Sequence, residues 1–261
     1  AIALLKEISE TDEYKRAVVN AAKSPVELAR HLVKDPVGTV SSVPKGVWKL
    51  INRAGQGIKE AADQRERSEG EDSMAESLIG VSKAKRELAA QFGVNPYSTN
   101  EVLQTELNRV AWTSVAGGAT VRALTLALSG GAAIAATSVQ AADTSVAALR
   151  DTAPLDLRQM NEKRLLAMDI PQETVTAFLG NPAFSPAYQT YLTAALASLE
   201  GVDGRSAYLR AAADNAEEEL DAIFFTHTAR ILAGLNGSDV PLARITTLGG
   251  LPIAVARDGR M

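Results

Sequence analysis

Two histidines and one run of carboxylates are the side chains in this 261-residue sequence whose types and spacing suggest chemistry. His227 stands in Phe224-Phe225-Thr226-His227-Thr228, on the apolar face that periodicity predicts for a helix. A metal site within that helix needs a carboxylate or histidine three or four residues away. Those places hold Ile223, Phe224, Arg230 and Ile231. A carboxylate from another helix could still meet the imidazole and make it a general base. His227 is therefore the candidate catalytic residue of a hydrolase. The plainer expectation is a histidine satisfied within the core.

His31 lies between Glu27 and Asp35, which puts three potential ligands on one helix face. Asp35 falls at the expected helix end, so the group reads as a solvated ladder of ion pairs. Asp214, Glu217, Glu218, Glu219 and Asp221 invite comparison with carboxylate di-metal bundles. Those bundles need Glu-x-x-His on facing helices. No acid stands three residues before either histidine, and the run reads as a solvated face. No metal and no cofactor is expected.

Other chemistries are limited by counting. There is no cysteine, which excludes disulfides, thiolate metal sites and a cysteine nucleophile. Gly117-Gly118, Gly130-Gly131 and Gly249-Gly250 lack the lysine and spacing of a phosphate loop. No Gly-x-Ser-x-Gly elbow occurs. A serine triad leaves no fixed sequence trace, so counting does not address it. The formal charge of −4 offers no broad attraction to nucleic acid.

The clearest positive signal is a basic face. A helix is expected from Pro44 to about Arg67, with Val47, Leu50, Ile51, Ala54 and Ile58 on one side. Lys45, Lys49 and Arg53 line another, with Trp48 beside them. Such a helix can lie in a membrane interface, drawn by about 1 kcal/mol per basic residue near anionic lipid. The same pattern serves an ordinary surface helix packed on its neighbours. Lys45, Trp48, Lys49 and Arg53 are the candidate membrane or partner contacts.

The elements are organised around residues 111–142, whose only charge is Arg122. Alanine, glycine, serine and threonine dominate, and small residues let helix backbones approach closely. Twenty uncharged residues separate Arg122 from Asp143, just enough for one transmembrane helix. The strongly apolar residues contribute only about −2 kcal/mol of insertion energy, against the glycines, serines and a glutamine. The expected form is a buried hairpin of two helices, about 101–128 and 132–149, turning at Gly130-Gly131. A membrane-inserting hairpin is the alternative.

Helices are also expected over 1–23, with Thr11 and Asp12 as caps, and from the capping box Ser24-Pro25-Val26-Glu27. Others are expected over 82–92 and from a capping box at Ser98–Glu101. Further starts are Asp156, Pro171 and Ser185-Pro186, and one long helix is expected from Ser206 to about Leu235. The inner face of that last helix should carry Leu209, Ala213, Ala216, Leu220, Ile223, Phe224, His227 and Ile231. Residues 240–245 and 251–257 are strand-like, and Asp258-Gly259 is a hairpin turn signal. The chain stops at Met261, where a return strand should begin, so the natural chain is expected to run on.

The expected fold class is mainly α, a bundle-like array of helices with a short C-terminal β hairpin element. The expected organisation is an N-terminal helical segment (1–67), an acidic linker (68–76), a main helical domain (77–236) and a β element (237–261). The expected function is a non-enzymatic helical interaction protein, either a subunit of a larger assembly or a membrane-peripheral adaptor. The alternatives are membrane insertion through 111–142 and a hydrolase using His227. A protein partner or a homo-oligomer is expected, with a membrane surface as a further partner and nucleic acid excluded. The missing cysteine fits an exported bacterial protein, and an exported or membrane-peripheral location is favoured over the cytoplasm.

Overall fold

The computed structural model describes residues 1–23, 69–128, 144–238 and 240–260. The basic helix expected over 44–67, with Lys45, Trp48, Lys49 and Arg53, lies outside them. So do the capping box at 24–27, His31 and the turn expected at Gly130-Gly131. Among the described residues the protein is mainly α, with eleven helices and one antiparallel pair of strands. They form two compact units, Ala1–Asp151 and Thr152–Met261. The division falls inside the span 77–236 that the sequence groups together.

In the first unit, α1 (Ile2–Ile8) and α2 (Asp12–Lys23) precede α3 (Glu69–Phe92). Then come α4 (Glu101–Ala116), α5 (Val121–Leu126) and α6 (Thr144–Asp151). Thr11 caps α2, its hydroxyl accepting the Tyr14 N–H at 3.2 Å. Helix α3 begins at Glu69 rather than Ser82, so the acidic stretch 69–76 forms its first turns. It ends at Gly93, whose φ of +62° suits a residue without a Cβ. Helix α4 is capped by Asn100, not by Ser98: Asn100 Oδ1 accepts the Leu103 N–H at 2.9 Å.

Helix α4 packs against α1, α2 and α3, with Leu107, Val110 and Ala111 fully buried. The helix expected to run to 128 stops at Ala116. Two local causes end it. Gly118 takes a φ of +65°, and the Ser114 carbonyl accepts the Ala119 N–H at 3.0 Å. Thr120 then caps α5, accepting the Ala123 N–H. Gly117 allows a close approach: a Cβ there would lie 2.3 Å from the Ala17 carbonyl oxygen on α2. Leu124 and Leu128 are buried in the same core as Leu5, Ile8 and Leu88.

The second unit holds α7 (Pro154–Leu166), α8 (Gln172–Gly180) and α9 (Pro186–Ala197). These lead to α10 (Arg205–Asn215), α11 (Glu219–Asn236), β1 (Leu242–Leu248) and β2 (Leu251–Ala256). Helix α7 begins with Pro154, so Asp156 sits in its first turn rather than at its cap. Ser185 caps α9 as its sequence implies. Helix α9 packs against both α7 and α11, α8 packs on α10, and α10 packs on β1. Phe178, Leu192, Leu196, Leu199 and Tyr208 are fully buried in this core.

The strands pair in register from Leu248↔Leu251 to Arg244↔Val255, with a bulge before Leu242↔Ala256, around a Gly249-Gly250 turn with both φ values positive. That is the backbone a two-residue hairpin turn requires. The hairpin thus forms within 242–256, and Asp258-Gly259 closes a separate turn after β2.

Candidate interaction surface

The helix expected to run unbroken from Ser206 to Leu235 is two helices. The side-chain amide of Asn181 donates to the Ala213 carbonyl at 3.0 Å and the Ala216 carbonyl at 2.9 Å. That closes the C-terminal end of α10. Asp221 opens α11 by accepting the backbone N–H groups of Glu217 at 2.9 Å and Glu218 at 3.0 Å. Those two bonds hold the Asp221 carboxyl below the usual aspartate range. The acidic run read as a solvated face thus supplies a helix start.

Leu209 and Ala216 of the expected inner face are buried, but the break resets the helical phase and turns Leu220, Phe224, His227 and Ile231 outward. The residues of α11 that enter the core are Ala222, Phe225, Thr226, Ala229 and Leu232. Four of the expected or adjacent large residues are exposed instead: Leu220 at 67%, Phe224 at 44%, Ile231 at 62% and Leu235 at 39%. With His227 between them they form one stripe along the helix, spaced by four, three, four and four residues. Helix α11 packs against α9, whose buried residues include Ala187, Leu192, Thr193 and Leu196. The inward face of α11 joins the small Ala222, Thr226 and Ala229 to Phe225 and Leu232, which enter the core with Leu192, Leu196 and Tyr208.

His227 is therefore exposed rather than held in the core. Among the described residues no carboxylate pairs with it by hydrogen bond or salt bridge. Beside the stripe, the Arg230 guanidinium lies 5.4 Å from the centre of the Tyr191 ring on α9. That contact pins the flank of the exposed face to the rest of the unit.

Other surfaces converge less. Leu248 and Leu251 are exposed at 71% and 58% at the hairpin tip. A shallow depression on α2 is lined by Asp12, Lys15, Arg16, Val19 and Asn20, all from one helix, so no second element closes over a ligand. Among the described residues no three His, Asp or Glu side chains gather to hold a metal ion. Also among them, no helix is long and apolar enough to cross a membrane.

Periodicity groups Leu220, Phe224, His227 and Ile231 on one side but sets that side inward, where only Leu209 and Ala216 of the expected face are buried. An acidic helix start is legible in Glu217-Glu218-Glu219-Leu220-Asp221, as helix N-termini favour, but it does not set which side of α11 faces out. No protein-family profile, curated protein or solved structure matches this chain.

Proposed function

We propose that this chain is a non-enzymatic helical interaction protein that joins a larger assembly, docking through the outer face of α11. The observation that carries this reading is the exposed stripe of Leu220, Phe224, Ile231 and Leu235 on a helix whose other face is core. Burying a large apolar side chain is worth roughly 1.5–3 kcal/mol, so covering four half-exposed ones contributes several. Contiguous apolar patches of this kind mark interaction sites more often than scattered exposed residues do. His227, inside the stripe, offers a polar tip that can fix the orientation of whatever docks.

Lys45, Trp48, Lys49 and Arg53 enter the proposal as a second contact, to a partner or a membrane surface, on their sequence pattern alone. A membrane-peripheral or exported setting rests on the same kind of argument.

A photo-cross-linking residue placed at Leu220 or Ile231 of the full-length protein, in its native cell, tests the docking face. Cross-links that disappear when Phe224→Asp is added are expected. Cross-links indifferent to Phe224→Asp would remove α11 from the proposal. Substrate turnover by the purified protein, abolished by one side-chain change, would end the non-enzymatic reading.

A further inference from the structure

Resting on that reading of α11, we infer that the partner covering its outer face is a second copy of this chain, packed antiparallel about a two-fold axis at His227. A two-fold contact requires a surface that complements itself. The stripe meets that condition. Antiparallel pairing centred between His227 and Thr228 sets Leu220 against Leu235 and Phe224 against Ile231, at both ends. Large apolar residues then always meet large apolar residues. His227 lies beside its own counterpart, so the polar residue of the stripe meets the polar residue of the other.

Charge supports the same orientation. Glu217 and Glu218 are exposed at the N-terminal end of α11, with no cation in ion-pair distance among the described residues. At the other end, Asn236 Oδ1 accepts the Leu242 N–H, and the neighbouring Pro241 carbonyl accepts the Arg257 N–H at 2.9 Å. Arg257 is exposed there and forms no described salt bridge. An antiparallel partner brings Glu217 and Glu218 of each copy toward Arg257 of the other, and a parallel one brings the two acidic ends together. Gly234 adds room: a Cβ on it would meet nothing within 4 Å, so a facing helix can approach closely near Leu220 of the second copy.

Size sets the strength. The stripe runs sixteen residues, about 24 Å of helix. One helix pair of that length buries less than the roughly 800 Å² per partner of a standard interface. The pair is therefore a weak, reversible dimer that forms as concentration rises.

Sedimentation equilibrium of the full chain from low micromolar to near-millimolar concentration reads this directly. Self-association is expected, and Phe224→Asp should abolish it with an unchanged circular dichroism spectrum. The decisive pair is His227→Asp and His227→Lys. Each places like charges together at the axis and should weaken self-association about tenfold or more. An equimolar mixture of the two should restore it, as a heterodimer seen by native mass spectrometry. A chain that stays monomeric throughout, or a mixture no tighter than either variant alone, overturns the proposal.

The reading of α11 as a docking face fails separately. If the chain stays monomeric but its Phe224-dependent cross-links lead to a different protein, only the self-association is wrong. Flotation with phosphatidylserine vesicles that requires Phe224 would assign the face to lipid and overturn both.

Discussion

Phe224 and Phe225 are neighbours in the chain with ring centroids 5.3 Å apart, yet Phe224 is 44% exposed and Phe225 only 3%. The boundary between core and outer surface runs between these two side chains. Phe225 also meets the Tyr208 ring edge-on at 6.2 Å, and its carbonyl accepts the Tyr208 hydroxyl.

The two positions should therefore behave differently. Phe225→Ala removes a buried ring and should cost about 3–5 kcal/mol of stability. Phe224→Ala should cost only about 0.5–1.5 kcal/mol, for its half-exposed ring and the edge-on contact with Phe225, while weakening whatever association α11 supports. Urea unfolding of both variants checks this. Equal losses at the two sites would mean that the stripe is core and not surface.

Gly117 and Gly118 make a similar pair. A Cβ at Gly117 meets the Ala17 backbone, whereas one at Gly118 meets nothing within 4 Å but sits at a φ of +65°. Gly117→Ala should cost about 1–3 kcal/mol by forcing α2 and α4 apart. Gly118→Ala should cost about 1–2 kcal/mol from backbone strain alone. Hydrogen exchange separates the two mechanisms. Amide protection in α2 should fall in the first variant and hold in the second.

Lys85 lies on α3 between the buried residues Val81, Ala84, Leu88 and Ala89. Burial lowers its pKa from the ordinary 10.5 to about 8. Above pH 8 the folded protein sheds this proton, while the unfolded chain keeps it until about 10.5. Stability should therefore rise across that window, by up to about 3 kcal/mol. Lys85→Met should flatten the rise and stabilise the protein at neutral pH. Denaturant melts at several pH values read both effects, and a variant that follows the wild-type curve would contradict the assignment.

Tyr208 should act with the opposite sign at higher pH. It is fully buried, its hydroxyl donates to the Phe225 carbonyl at 2.6 Å, and burial pushes its pKa up from the ordinary 10.0. Below pH 10 the residue is neutral in both folded and unfolded chains. Above it the unfolded chain ionises first, so stability falls as pH climbs. Tyr208→Phe should remove that slope and cost about 1 kcal/mol at neutral pH for the lost hydrogen bond. An alkaline slope unchanged in Tyr208→Phe would place its origin in another group.

Much of the chain's local architecture follows from short-range signals, because caps and turns act within a few residues. Thr11, Gly93, Pro171 and Ser185-Pro186 mark element ends where their chemistry says they should. The mainly α character and the C-terminal strand pair follow in the same way from periodicity and turn residues. Short-range reasoning fails where neighbouring signals compete. Asn100 and Ser98 both precede α4, and geometry selects Asn100. Gly117-Gly118 ends a helix that composition alone would continue.

The orientation of α11 is of a different kind, and it decides the candidate interaction surface. By side-chain size alone, Leu220, Phe224 and Ile231 look like the inner face. The amide of Asn181, 35 residues from Ala216, closes α10 and lets a new helical phase begin. Helix α11 then packs on α9 with Ala222, Phe225, Thr226, Ala229 and Leu232 buried, which leaves the stripe outside. The sequence by itself determined where most helices start and that the protein is helical, since those choices are made within a turn. Which side of the last helix meets water was decided only by tertiary packing, through contacts between residues far apart in the chain.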